Sequence, residues 1–164
     1  MGAGLAHFFT GQSRKINQHW LSQSSVCHEE AFRYLLQAEY KRYQRTGQGY
    51  HILLVYRGER QDHVLPMHSD SATVVLNALS QGLRETDYIG WYREGRIIGG
   101  VLTVSEPDSI TEVHSRIHRR VTETLHAKLG WEESQCFHIK LCRQHELQGF
   151  EPAAQVRSLE QEHS

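Results

Sequence analysis

The chain has 164 residues, 38% of them hydrophobic, 9% aromatic and 23% charged, enough apolar material for one domain core and too much for a wholly disordered chain. Its 18 Lys+Arg against 19 Asp+Glu leave a net charge of -1, which excludes a binder of nucleic acid polymers but not a site where a few arginines hold a small anion. No apolar run approaches the about 20 residues that span a bilayer, and the first ten residues lack the basic and apolar regions of a signal peptide. With Cys27, Cys136 and Cys142 at no metal or redox spacing, a reducing cytoplasm is the expected compartment.

Residues 1–28 are rich in Ser, Gln and Gly and read as an N-terminal extension. From Glu29 to Thr46, Phe32, Leu35, Leu36 and Tyr43 recur at helical spacing opposite Arg33, Lys41 and Arg45, and Gly47 and Gly49 stop the helix. Tyr50 to Tyr56 is a short, apolar, partly β-branched run, predicted as a buried strand. After a polar connection from Arg57 to Asp70, Ser71 is the predicted N-cap of a helix using Val74, Val75, Leu79 and Leu83. Tyr88–Tyr92 and Arg96–Val104, split by Arg93-Glu94-Gly95, predict a β-hairpin. Alternation places Tyr88, Gly90 and Tyr92 on one face of it, with Ile89 and Trp91 on the other.

Pro107-Asp108-Ser109 opens the next helix, where Ser109 and Glu112 form a capping-box pattern. Ile110, Val113, Ile117, Val121 and Leu125 make one stripe, and Gly130 supplies the stop. A last strand runs from Gln135 to Cys142 with Phe137, Ile139 and Leu141 inward. Residues 149–164 are polar and read as a C-terminal tail, which leaves 29–148 as the domain. Without the first helix, the order β-α-β-β-α-β is the split βαβ, ferredoxin-like pattern. The expected fold is α+β, an antiparallel sheet with its helices on one face, preceded by an N-terminal helix.

The stretch from Glu29 to about Cys142 resembles the catalytic domain of the GGDEF family, the diguanylate cyclases. The leading helix, the strand Ile52-Leu53-Leu54-Val55 and the His114-Ser115-Arg116-Ile117 segment all sit where that family has counterparts. The sharpest part is Leu83-Arg84-Glu85-Thr86-Asp87-Tyr88-Ile89-Gly90-Trp91-Tyr92, similar to the family's Leu-Arg-x-x-Asp-x-Ile-x-Arg-Tyr run. The resemblance implies a nucleotide-cyclase-like fold. It also exposes a loss, because the signature positions hold Arg93, Glu94, Gly95, Arg96 and Ile97. The family's other metal-binding Asp aligns near Tyr56, and its base-holding Phe-Lys-x-x-Asn-Asp segment has no match between Arg57 and Asp70. Phosphoryl transfer to a hydroxyl relies on divalent metal held by oxygens, so the expectation is a domain without cyclase activity, metal or other cofactor.

Arg84-Glu85-Thr86-Asp87, five residues before the degenerate signature, has the spacing of the family's Arg-x-x-Asp inhibitory site. The resemblance implies that Arg84 and Asp87, with Arg116 from the following helix, bind cyclic di-GMP, and that ligand binding bridges domains or forms a homodimer. A guanidinium forks onto phosphate oxygens or a guanine edge, and a carboxylate accepts from guanine N–H groups. On the residues alone, Asp87 equally serves a turn or cap while Arg84 stays solvated.

Twelve histidines invite a metal reading. His114 and His118 are four apart on one helix, but no zinc-protease Glu stands between them and no further ligand is spaced to join them, so a solvated His-rich face is expected. Cys27 next to His28 invites thiol catalysis, with no third member to order it. Cys136 and Cys142, six apart, are expected to share a strand face. Gly99-Gly100 lacks the Lys and Ser or Thr of a phosphate loop and marks a bulge or a close neighbour. Trp91 replaces a family Arg and is either core or interface. The leading reading is a regulatory or adaptor domain that binds cyclic di-GMP in biofilm or exopolysaccharide control. The alternatives are a nucleotide-independent protein-interaction scaffold and an enzyme with metal ligands relocated to Glu59, Asp62, Glu94 and the histidines.

Overall fold

The structure, a computed structural model, describes residues 28–59, 63–84, 86–103 and 110–147. The N-terminal extension apart from His28, the tail, Cys27, Asp62, Glu85 and the Ser109 half of the capping box lie outside the described residues.

The elements follow in the order α1 (Glu29–Thr46), β1 (His51–Arg57), α2 (Ser69–Gly82), β2 (Tyr88–Arg93), β3 (Ile97–Leu102), α3 (Ile110–Leu129), α4 (Trp131–Ser134) and β4 (Phe137–Cys142). The four strands form one sheet in the order β2-β3-β1-β4, with every neighbouring pair antiparallel. This is the expected α+β arrangement, the two strands of the hairpin being separated from β4 by the central β1.

Both faces of the sheet are covered, which explains the unbroken apolar run of β1. Leu53 and Val55 point to a core shared with Val75, Leu79, Ile117, Val121 and Leu125, so α2 and α3 pack on one face. Ile52, Leu54 and Tyr56 point the other way, into a second core with Phe32 and Leu36 of α1 and with Leu147 beyond β4. The leading helix is therefore the cover of the second face. The hairpin alternation holds, with Ile89 and Trp91 in the first core and Tyr88 and Tyr92 against the second. Trp91 is 8% exposed and belongs to the core.

Gly99 decides how closely α1 approaches. A Cβ there would lie 2.6 Å from the tip of the Phe32 ring, so the absent side chain is the seat for that ring. At the hairpin tip Gly95 has φ 75°, a left-handed conformation that favours glycine, and the Arg96 N–H donates to the Arg93 carbonyl at 3.0 Å.

Four details differ from the sequence reading. Helix α2 begins at Ser69 with His68 as its N-cap, and Ser71 is buried in the first turn, because the chain from Pro66 to His68 is already turned by a Met67 N–H to Gly95 carbonyl bond of 2.8 Å. Tyr43 is 45% exposed while Glu39 is buried, the last turns of α1 running past the edge of the apolar seat. The turn α4 and the helical residues 144–147 have no apolar period to announce them. Cys136 precedes β4 and is partly exposed, whereas Cys142 is buried, so the two do not share a strand face.

Candidate functional site

Three places carry the residues singled out by the sequence: the hairpin tip beside the end of β1, the open end of the same hairpin, and the outer surface of α3.

At the tip, register sets Tyr56 opposite Ile97 and places both beside the turn Arg93–Arg96. The sequence alignment of Tyr56 with Arg93, Glu94, Gly95, Arg96 and Ile97 thus corresponds to one corner of the molecule. Tyr56 is 1% exposed, its ring 5.4 Å from that of His138, and His138 Nε2 lies 2.9 Å from the Gly58 carbonyl. Arg93 and Glu94 of the turn reach toward the start of α1. Arg93 Nη1 donates to Glu29 Oε1 at 2.9 Å and its guanidinium stands 5.0 Å from the Tyr92 ring centre. Glu94 Oε1 lies 3.2 Å from His28 Nδ1.

A hard divalent cation needs several converging oxygens. Among the described residues this corner offers a buried phenol, a glycine and two carboxylates already facing Arg93 and His28, a donor set that does not fit such an ion. Among the described residues no group of three or more His, Cys, Asp and Glu is arranged to hold a metal.

At the open end, the structure brings Arg84 and Asp87 together with Thr103, a residue that sequence spacing did not single out. Asp87 is 4% exposed. Its Oδ2 accepts the Arg84 backbone N–H at 2.8 Å, and its Oδ1 accepts the Thr103 backbone N–H at 3.1 Å and the Thr103 hydroxyl at 3.4 Å. The carboxyl thus ties the approach to β2 to the exit from β3. Burial holds its pKa above the usual carboxylate value, against the opposing pull of these hydrogen bonds and of the Arg84 charge. The Arg84 side chain is 46% exposed, with Nε 4.0 Å from Asp87 Oδ2 and Nη2 donating to the Thr103 carbonyl. The Asp places the backbone while the Arg faces solvent from a fixed base.

Arg116 is exposed on α3. One turn further along, Arg120 Nη1 donates to the Gln81 carbonyl at 2.8 Å, at the C-terminal end of α2. Residues four apart share a helix face, so Arg116 lies on the face of α3 that borders the Arg84 end of α2. Arg120 is the cation that sequence reasoning missed; its signal was the i, i+4 relation to Arg116, together with the usual attraction of cations to helix C-termini.

The remaining constellations are structural. His114 and His118 stack edge to face with ring centres 5.9 Å apart, and His126 packs on Trp131 at 5.1 Å. Burial, and secondly His118, lowers the His114 pKa. Burial pushes the Cys142 thiol up to about 11, which leaves it protonated and unreactive at neutral pH.

The order of strands, the two helices on one face and the hairpin beside β1 can now be set against known structures. The crystal structure of a DGC (diguanylate cyclase) protein from Thermotoga maritima matches with a TM-score of 0.51 at 18% identity, covering 71% of this chain and 79% of that one. The chain has the nucleotide-cyclase-like fold. No family model and no curated protein sequence matches it. The likeness therefore lies in backbone architecture, and chemistry must be argued from this chain's own residues. Among the described residues no helix is long and apolar enough to cross a membrane.

Proposed function

We propose that this GGDEF-like domain is a regulatory module without cyclase activity that takes cyclic di-GMP at the open end of its hairpin. The observation that carries the reading is the contrast in donors between the two ends. Among the described residues no convergent oxygens stand beside Tyr56, and Arg93 and Glu94 of the tip turn toward Glu29 and His28. The open end presents Arg84 on a base braced by Asp87 and Thr103, with Arg116 on the bordering face of α3. A dinucleotide phosphate or guanine edge would engage the Arg84 guanidinium, with Arg116 as the second cation. Biofilm or exopolysaccharide control is the setting this reading suggests, and a homodimer or a protein partner bridged by the ligand is its natural output.

Calorimetry of the purified chain with cyclic di-GMP, and with GTP plus Mg²⁺, tests it. Binding of the cyclic dinucleotide without turnover of GTP is expected. Arg84→Ala is expected to weaken that binding about ten- to a hundredfold, since a charge-assisted hydrogen bond contributes about 1.5–3 kcal/mol. Production of cyclic dinucleotide from GTP above a no-protein control would overturn the catalytic half of the reading. Wild-type affinity in a normally melting Arg84→Ala variant would overturn the ligand half.

A second reading, a scaffold that uses the same fold for protein contacts alone, is favoured by one observation: both Asp87 oxygens already accept hydrogen bonds from the protein. Silence toward both nucleotides in the same calorimetry supports it.

A further inference from the structure

A cleft of about 460 Å³ opens where the C-terminal turns of α1 meet the start of β1 and the residues after β4. Its size lies within the range of small-molecule sites. It belongs to neither corner described above. His51 pairs with Leu102 at the end of the sheet opposite the hairpin tip. The cleft flanks β1 and β4, while Arg84 precedes β2 at the other edge, two strand spacings from β1 and three from β4, or about 10–14 Å.

Its walls combine exposed aromatic rings with unspent polar groups. Tyr40 and Tyr43 line it and are 40% and 45% exposed, and the Tyr43 ring meets Tyr50 edge to face at 6.4 Å. The Tyr50 hydroxyl is committed, donating to Gln144 Oε1 at 2.8 Å. His51 is not: its Nδ1 is buried from solvent and has no hydrogen-bond partner among the described residues. Arg143 also lines the cleft, and among the described residues its guanidinium makes no ion pair. The nearby carboxylates are engaged: Glu146 accepts the Arg143 backbone N–H at 2.6 Å, and Glu39 is paired with Arg42 at 2.8 Å. Gly49 on the rim leaves room, since a Cβ there would meet none of the described residues within 4 Å.

We propose that this cleft binds a planar aromatic anion of nucleoside-monophosphate size, its ring packed on Tyr40 and Tyr43 and its phosphate or carboxylate held by Arg143 and His51. The chemistry is a stacking surface joined to one cationic fork. A free mononucleotide and an aromatic acid both possess it, and the site is independent of the cyclic di-GMP reading at Arg84.

Calorimetry of the full chain with GMP, guanosine, inorganic phosphate and indole-3-acetate provides the test. At least one of the two aromatic anions is expected to bind, about tenfold or more tighter than guanosine and phosphate, each of which carries only half of the recognition. The stronger of the two identifies the source. Gly49→Leu is expected to fill the cleft and abolish binding without lowering the melting temperature. Arg143→Gln is expected to weaken the anions about tenfold and leave guanosine unchanged, and Arg84→Ala to alter nothing. Failure of both anions to bind at millimolar concentration would overturn the proposal. So would binding that survives Gly49→Leu, or binding that Arg84→Ala removes.

Discussion

The two ends of the β2–β3 hairpin hold charged residues by opposite means. At the tip, Arg93 pairs with Glu29 in a largely shielded contact and Glu94 pairs with His28 in an exposed one, side chain to side chain. At the open end a single buried carboxylate accepts two backbone N–H groups and fixes where two chain segments meet. Exposed ion pairs contribute little because water and salt screen them and long side chains must be ordered to form them. A buried acceptor is different, since removing it strands donors that have no water to replace it. Both ends carry an Arg beside a carboxylate, and the structural consequence differs.

Breaking the open end is expected to have the largest effect. Asp87→Ala leaves the Arg84 and Thr103 backbone N–H groups without their acceptor and is expected to cost about 3 kcal/mol. Chemical denaturation measures it; a loss below about 1 kcal/mol would show that water reaches the site. Asp87→Asn, which keeps one acceptor oxygen and turns an amide NH2 toward the other backbone N–H, is expected to recover only part of the loss.

Next comes the middle of the hairpin. Gly99→Ala drives a methyl group into the Phe32 ring, which is fully buried and has nowhere to turn. Overpacking of this kind costs about 1–3 kcal/mol, and pairing it with Phe32→Leu is expected to relieve part of the cost. Independent, additive losses in that double variant would mean that α1 does not seat on Gly99.

The tip is expected to be the mildest of the three. A double-mutant cycle on the exposed pair, His28→Ala and Glu94→Ala, is expected to give a coupling under about 1 kcal/mol that shrinks as salt is raised. A larger, salt-insensitive coupling would erase the contrast between the two ends.

A smaller effect separates the faces of the sheet by pH. Burial is the main cause that lowers the His51 pKa, with Arg143 adding to it and Glu146 opposing; at His114 burial leads and His118 adds. Both folded values lie below the ordinary 6.5, so the unfolded chain takes up protons more readily. The contribution of both histidines is complete above that ordinary value and is lost as the pH falls through it. The melting temperature is therefore expected to drop between about pH 7.5 and pH 5.5. His51→Gln and His114→Gln are each expected to flatten that slope, and an unchanged slope in both would assign it to other groups.

Much of the architecture was legible in the chain itself. Period and punctuation are local properties, so α1 ends at Gly47, α3 stops at Gly130, and the alternation from Tyr88 to Tyr92 assigns each side chain to its face. The Arg-x-x-Asp spacing likewise put Arg84 and Asp87 in one place before any coordinates did. Roles at that place were decided elsewhere. Asp87 braces the backbone because Thr103, distant in sequence, arrives with a free N–H, and spacing within one segment carries no information about a partner from another. The same holds for α1. Its apolar stripe announced a buried face, yet that the second side of the sheet would receive it depended on Gly99 leaving a hollow for Phe32. The cleft at Tyr40, His51 and Arg143 had no sequence signature at all, because its walls come from three stretches that only the pairing of β1 with β4 brings together.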